Sequence, residues 1–250
     1  SDAIKTLTND KLNANDASSD PSVGASGLAD AAKLLEAFAK ADDSNLTDEQ
    51  KQQLKALLDA QKQGSKVDQA AIDDLVNSIN NQITQTASEE IRSSSNSVNL
   101  PNSSLYSTNP DSSADYLIET DPAFANYKNW LSSDYMLDRL QLNPNITQKR
   151  LGDGYYEQQY IRDQIMMLTG RYYLEDYSNQ DAQYQGLMDA GITTAQTLNL
   201  RPGIALTDDQ VAKLTTDIVW LVQQSITLDD GSSQKVLVPK VYTRQAVGQI

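Results

Sequence analysis

The amino-acid sequence predicts a mainly α-helical protein: a small N-terminal helical bundle, a linker, and a second helical domain ending in a β-hairpin. Three observations lead there. Apolar residues recur at three- and four-residue steps through most of the chain, the spacing of one helix face. Two capping boxes, Thr47 with Gln50 and Thr207 with Gln210, mark helix starts. Only near the C-terminus, in SITLDDGSSQKVLVPKVY, do β-branched residues on both sides of Asp229–Ser232 change the period to that of paired strands.

Residues 1–26 are rich in Asp, Asn, Ser and Ala and have little to bury, so they read as loosely ordered or as the edge of an upstream β-helix. Residues 27–94 read as a three-helix bundle. Leu28, Ala31, Ala32, Leu35 and Phe38 share the face of a first helix, Leu28–Ala41. Leu54, Leu57 and Leu58 form the stripe of a second, which Gly64 ends. Ile72, Leu75, Val76, Ile79 and Ile83 line a third, from about Asp68 to Arg92. Residues 95–115, rich in Ser and Asn, show neither period and read as a linker.

Residues 116–223 form the second helical unit. Asp121 is an N-cap candidate with Pro122 at the favoured first position. Short helices follow to Leu131 and over Ser133–Gln141, and longer ones over Gly154–Thr169 and Ser178–Leu198. The last runs from Thr207 through Gln223 and carries Val211, Leu214, Ile218, Trp220, Leu221 and Val222, so Trp220 is expected in the core. Residues 224–250 are the hairpin and tail. Pro239 lacks an N–H, so the returning strand should be an edge or should turn that position outward.

Composition separates the two halves. All 12 tyrosines and both tryptophans, Trp130 and Trp220, follow Asn99, and Phe38 is the one aromatic before it. The formal charge is −14, from 34 acidic and 20 basic residues, which would repel a phosphate backbone and argues against a nucleic-acid partner. Absence of cysteine and histidine removes thiolate nucleophiles, disulfides, and the commonest metal ligand and general base. No apolar run approaches the roughly 20 residues of a membrane-spanning helix, and no signal peptide opens the chain. A soluble piece of a longer protein, without cofactor or metal, is therefore expected.

Carboxylates and tyrosines are the plentiful side chains left for chemistry. Glu119 and Asp121 have the spacing of an acid–base pair or of simple helix capping. Asp153, between Gly152 and Gly154, lacks the surrounding pattern of a phosphate loop and reads as a turn. The acidic groups at Asp42–Asp48 and Asp229–Asp230 lack calcium-loop spacing. Tyr155, Tyr156, Tyr160, Tyr172, Tyr173, Tyr177 and Tyr184 crowd thirty residues and offer either a recognition surface or packing between helices. Phe38 with Tyr155, Tyr156, Tyr160, Tyr172, Tyr173 and Tyr177 are the candidate partner-binding residues.

Three strings carry a family resemblance: YLIETDPAFANYKNWLSSDYML at Tyr116–Leu137, RLGDGYYEQQYIRDQIMMLTGRYYLEDY at Arg150–Tyr177, and LRPGIALTDDQVAKLTTDIVWLVQQSITLDDGSSQKVLVPKVY at Leu200–Tyr242. In wording and order they resemble the filamentous haemagglutinins and contact-dependent growth inhibition exoproteins that Gram-negative bacteria export by two-partner secretion. The resemblance implies a secreted, cell-surface, non-enzymatic segment between haemagglutinin repeat blocks that mediates adhesion or target-cell receptor recognition. It implies as partners an outer-membrane protein or surface polysaccharide of a neighbouring cell, and an outer-membrane transporter during secretion. Toxic activity in that family belongs to a C-terminal domain outside this chain. A structural cap or spacer between β-helical repeats is the second reading, and a carboxylate-dependent glycan hydrolase the third.

Overall fold

A computed structural model describes residues 46–65, 69–83, 98–111, 113–125, 130–142, 148–174 and 176–244. The expected helix Leu28–Ala41, and Phe38 with it, lie outside them. The described chain runs α1 (Asp48–Lys62), α2 (Gln69–Ile83), β1 (Tyr106–Thr108), β2 (Tyr116–Thr120), α3 (Pro122–Ala125), α4 (Asp134–Arg139) and β3 (Arg150–Gly152). It continues through α5 (Gly154–Thr169), α6 (Gln180–Leu198), α7 (Asp208–Ala212), β4 (Ile218–Thr227) and β5 (Ser233–Tyr242).

The mainly helical expectation is corrected: the strands form one five-stranded mixed sheet, ordered β1-β2-β3-β5-β4, and the fold is α/β. The outer pairs, β1 with β2 and β4 with β5, are antiparallel, whereas β3 runs parallel to both β2 and β5. The largest departure is at Ile218–Gln223. The capping box at Thr207 and Gln210 is present, but the helix it opens stops at Ala212, and IVWLVQQSIT is the first strand of the hairpin. Its Ile218 to Gln224 are all buried. A strand covered on both faces is a continuous apolar run, which has no alternation to distinguish it from a buried helix, and here β-branched Ile218, Val219 and Val222 decide the outcome.

The core wraps the sheet. Alternate side chains of β5 divide between two clusters, Leu237 and Val241 joining the larger and Val236 and Val238 the smaller, as the two-residue period of a strand requires. The larger cluster gathers Leu54 of α1, Ile72, Leu75, Val76 and Ile79 of α2, Leu187 and Met188 of α6, and Trp220. Trp220 is buried as expected, and its indole N–H donates to the Arg201 carbonyl at 3.0 Å. α6 comes so close to β4 that a Cβ on Gly191 would collide with the Val219 carbonyl oxygen.

Asn80 fastens α2 to the sheet edge. Its amide donates to the carbonyls of Gly203 (2.8 Å) and Gln223 (3.0 Å), and its side-chain oxygen accepts from the Ala205 N–H at 2.8 Å. At the other end of the front helices, Thr47 and Gln50 exchange both bonds of their capping box, at 3.1 and 3.0 Å.

Pro239 lies in an internal strand, and the geometry explains how. Pairing of β5 with β3 is confined to the Leu237 level, where the Leu237 N–H donates to the Lys149 carbonyl. Beyond it, Gln164 of α5 replaces the missing neighbour: its amide donates to the Pro239 carbonyl at 2.8 Å and its oxygen accepts from the Val241 N–H at 2.9 Å. In an antiparallel pair a residue's N and C=O face the same side, so the absent Pro239 N–H faces this side chain rather than β4.

Candidate functional site

Where β2 and β3 run side by side, three helices close over an ionic cluster. Glu157 on α5 is fully buried and accepts three hydrogen bonds: from the Ser133 N–H at 2.6 Å, the Ser133 hydroxyl at 2.6 Å and the Tyr184 hydroxyl of α6 at 3.0 Å. Ser133 is the residue preceding α4, so one carboxylate joins α4, α5 and α6. Burial raises the Glu157 carboxyl to about 7, against the opposing pull of those hydrogen bonds and of the Arg150 charge.

Arg150 opens β3 and is itself fully buried. Its guanidinium stands 3.2 Å from Asp134 Oδ1 and 4.8 Å from the centre of the Tyr116 ring. Asp134 is one-third exposed, and the Tyr116 hydroxyl donates to its other oxygen at 3.4 Å. Burial raises the Asp134 carboxyl against the pull of Arg150, and raises the hydroxyls of Tyr116 and Tyr184, which also face Asp134 and Glu157 respectively. The cluster thus sets one buried guanidinium between two carboxyls, Glu157 cut off from water and Asp134 partly open to it.

Sequence reasoning found Tyr184 only as one of a tyrosine set and missed Glu157, Arg150, Asp134 and Ser133. A signal existed for Glu157: it precedes Ile161 and Ile165 at four-residue steps, a charged residue on the apolar stripe of its helix. The other three were hidden in a loop, a short helix and a three-residue strand.

The predicted tyrosines separate. Tyr155, Tyr156 and Tyr160 come together with Tyr106 and Trp130: Tyr106 meets Tyr156 edge-on at 5.1 Å, Trp130 meets Tyr155 edge-on at 4.9 Å, and Tyr156 stacks on Tyr160 at 6.0 Å. Tyr156 is buried in the smaller core cluster and Tyr160 packs against it. Burial pushes the hydroxyls of Tyr106 and Tyr160 up to about 12. Tyr172 stands apart on the surface beneath Arg162, Tyr173 is half-buried, and Tyr177 packs over Gly186 of α6.

The other candidates have structural partners. Asp153 caps α5, accepting from the Tyr156 N–H, and takes both the N–H and hydroxyl of Thr120. Its neighbours are glycine because a Cβ on Gly152 would strike the Tyr156 ring and one on Gly154 the Trp130 backbone. Glu119 accepts from Asn109, Asp121 from the Ala123 N–H ahead of α3, and Asp230 from Ser232 in the hairpin turn. Among the described residues no group of three acidic side chains could hold a metal ion, and no helix is long and apolar enough to cross a membrane.

Over 147 residues, 59% of its length, the chain is 44% identical to the tRNA nuclease CdiA-2 of Burkholderia pseudomallei. It is 43% identical over 130 residues to a toxin CdiA of Yersinia pestis and 36% over 124 residues to the 16S rRNA endonuclease CdiA of Enterobacter cloacae. Over about half its length this chain is CdiA-like. The matched stretch amounts to 4% of the length of each of these relatives. No protein-family model and no solved structure matches the chain.

These CdiA relatives confirm the contact-dependent growth inhibition resemblance and overturn the functional reading built on it. The chain was expected to be a non-enzymatic segment for adhesion or receptor recognition, or a spacer, or a glycan hydrolase, with no nucleic-acid partner. The relatives are instead named for nuclease action on tRNA and on 16S rRNA. The charge argument failed for a definite reason. A formal charge of −14 governs the field around this chain, but it sets no limit on what the much longer relatives bind elsewhere along their length.

Proposed function

We propose that this chain works as part of an RNA-cleaving growth-inhibition toxin. The observation that carries the reading is its 44% identity to a protein named a tRNA nuclease, supported by 36% identity to one named a 16S rRNA endonuclease. Proteins named for two different RNAs match this chain, so the choice of RNA is made outside the shared stretch. The toxin acts from the cell surface on a neighbour, a location favoured by the contact-dependent class to which the resemblance points.

The test uses the complete polypeptide that contains this chain. Producing cells are co-cultured with susceptible cells, and tRNA and 16S rRNA from the latter are probed for site-specific cuts. Cleavage of one of the two is expected, and inhibited cells with both RNAs intact would sink the proposal. Exchanging the matched stretch between tRNA-cutting and rRNA-cutting relatives should leave the RNA that is cut unchanged. A switch of substrate with the exchange would show that the shared stretch does choose.

A further inference from the structure

We propose that the outer edge of β4 at Ser225 and Thr227 is a docking rail for an extended, basic peptide segment of a partner protein, which joins the sheet by pairing with that edge. The protein fills the first part of this edge itself. In β4 the backbone groups of alternate residues face away from β5: the Leu221 carbonyl accepts from the Gly203 N–H at 3.1 Å, and the Gln223 N–H donates to the Gly203 carbonyl at 2.8 Å. Asn80 then takes the Gln223 carbonyl at 3.0 Å. Further along, Ser225 and Thr227 turn their N–H and C=O the same way, and no described residue bonds to them. Such a row is a template for another strand.

The surroundings suit a peptide. Ser225 and Thr227 are exposed while Gln224 and Ile226 are buried, so the core holds the edge in place and leaves it within reach. Beside it a hollow of about 180 Å³ lies between α2 and the strand, walled by Asn77, Asn81, Gln223 and Ser225 among others. Amide and hydroxyl walls fit a small polar side chain, and alternate residues of an added strand would face them.

Charge selects the occupant. Asp229 and Asp230 stand exposed in the hairpin turn just beyond Thr227, and the Ser232 hydroxyl and N–H hold the Asp230 carboxyl below its ordinary range. Lys235, across the hairpin from Ser225, is engaged by Asp74. A Lys or Arg at the end of the docked segment would meet the two carboxylates of the turn. A second copy of this chain, with the same formal charge of −14, is repelled by the first.

The experiment is amide NMR with hydrogen exchange on the whole chain. The probe is a synthetic peptide of alternating threonine and valine flanked by lysine pairs, and the control is the same peptide flanked by glutamate pairs. In the protein alone the Ser225 and Thr227 amides should exchange freely while Gln224 and Ile226 stay protected. The lysine-flanked peptide should shift and protect both free amides, and the glutamate-flanked one should bind more weakly, by a margin that shrinks with added salt. Ser225→Pro removes one outward N–H and leaves the bonds to β5 intact, so it should weaken binding about fivefold to tenfold. Should that variant fail to fold, Asp229→Asn with Asp230→Asn should abolish the preference for lysine, and a preference that survives would overturn the proposal. Amides already protected in the protein alone would show that the chain covers its own edge. Self-association that Ser225→Pro abolishes would make a second copy the occupant. Either result overturns the proposal, as would equal binding of the two peptides, binding that Ser225→Pro leaves unchanged, or amides that do not shift at millimolar peptide.

Discussion

Trp220 and Arg150 are buried to the same degree within the same sheet, yet their surroundings are opposites. Trp220 has its one polar atom bonded to the Arg201 carbonyl and is otherwise packed against hydrocarbon. Arg150 has for its guanidinium one ion pair, to a carboxylate that reaches water, and one aromatic face. Inaccessibility therefore does not rank contributions to stability. Burial of an apolar body with its polar atom paired is favourable at any pH, whereas burial of an incompletely paired ionic group depends on how many protons its neighbours hold.

The largest effect that could break this contrast is at the tryptophan. Trp220→Ala should cost about 3–5 kcal/mol by chemical denaturation, the usual range for deleting a large core aromatic. A loss below 1 kcal/mol would mean that the larger cluster collapses around the gap. Arg150→Met comes next. Removing the counter-charge leaves Asp134 and Glu157 facing each other, at a cost of about 2–4 kcal/mol at pH 8, reduced from the usual figure for a broken buried pair because Asp134 reaches water. At pH 5.5 Glu157 keeps its proton and the loss should be clearly smaller, so equal losses at both pH values would erase the distinction between the two regions.

Asn80→Ala should cost about 1–3 kcal/mol, since it strands the Gln223 carbonyl and the Ala205 N–H, while the Gly203 carbonyl keeps the Gln223 N–H. Its loss should be the same at pH 5.5 and pH 8, because no titrating group takes part. Thr47→Ala removes one capping box and should cost about 1 kcal/mol, measured as a shift in the thermal midpoint.

Helix starts were legible in the sequence because a capping box is a local signal: Thr47, Thr207 and Asp153 act within three residues of themselves. Helix faces with a clean period were legible too, as at Ile72, Leu75, Val76 and Ile79. Of the sheet, the hairpin about Asp229–Ser232 was legible, and the rest was not, for two reasons. β4 is buried from Ile218 to Gln224 and offers no alternation there, and β1 and β3 have three residues each, too few for any period to show. The ionic cluster was beyond reach because its members meet only after β2, β3, α4, α5 and α6 have assembled. Of these, only Glu157 violates a local pattern. The tyrosines were over-read as one group, when Tyr156 serves the interior and Tyr172 the surface.

The side chain of Gln164 beside Pro239 also bears on how copies of this protein behave toward one another. A strand that begins beside its neighbour and then runs past it leaves free backbone groups, the usual foothold for strand exchange between molecules. Here a second chain that tried to pair along β5 beyond Leu237 would meet a proline with nothing to donate, then a carbonyl and an N–H already engaged by an amide from the protein's own helix. Gln164→Ala would free both groups while leaving the hairpin intact. Its expected mark is a greater tendency to self-associate on concentration, out of proportion to any loss of folding free energy.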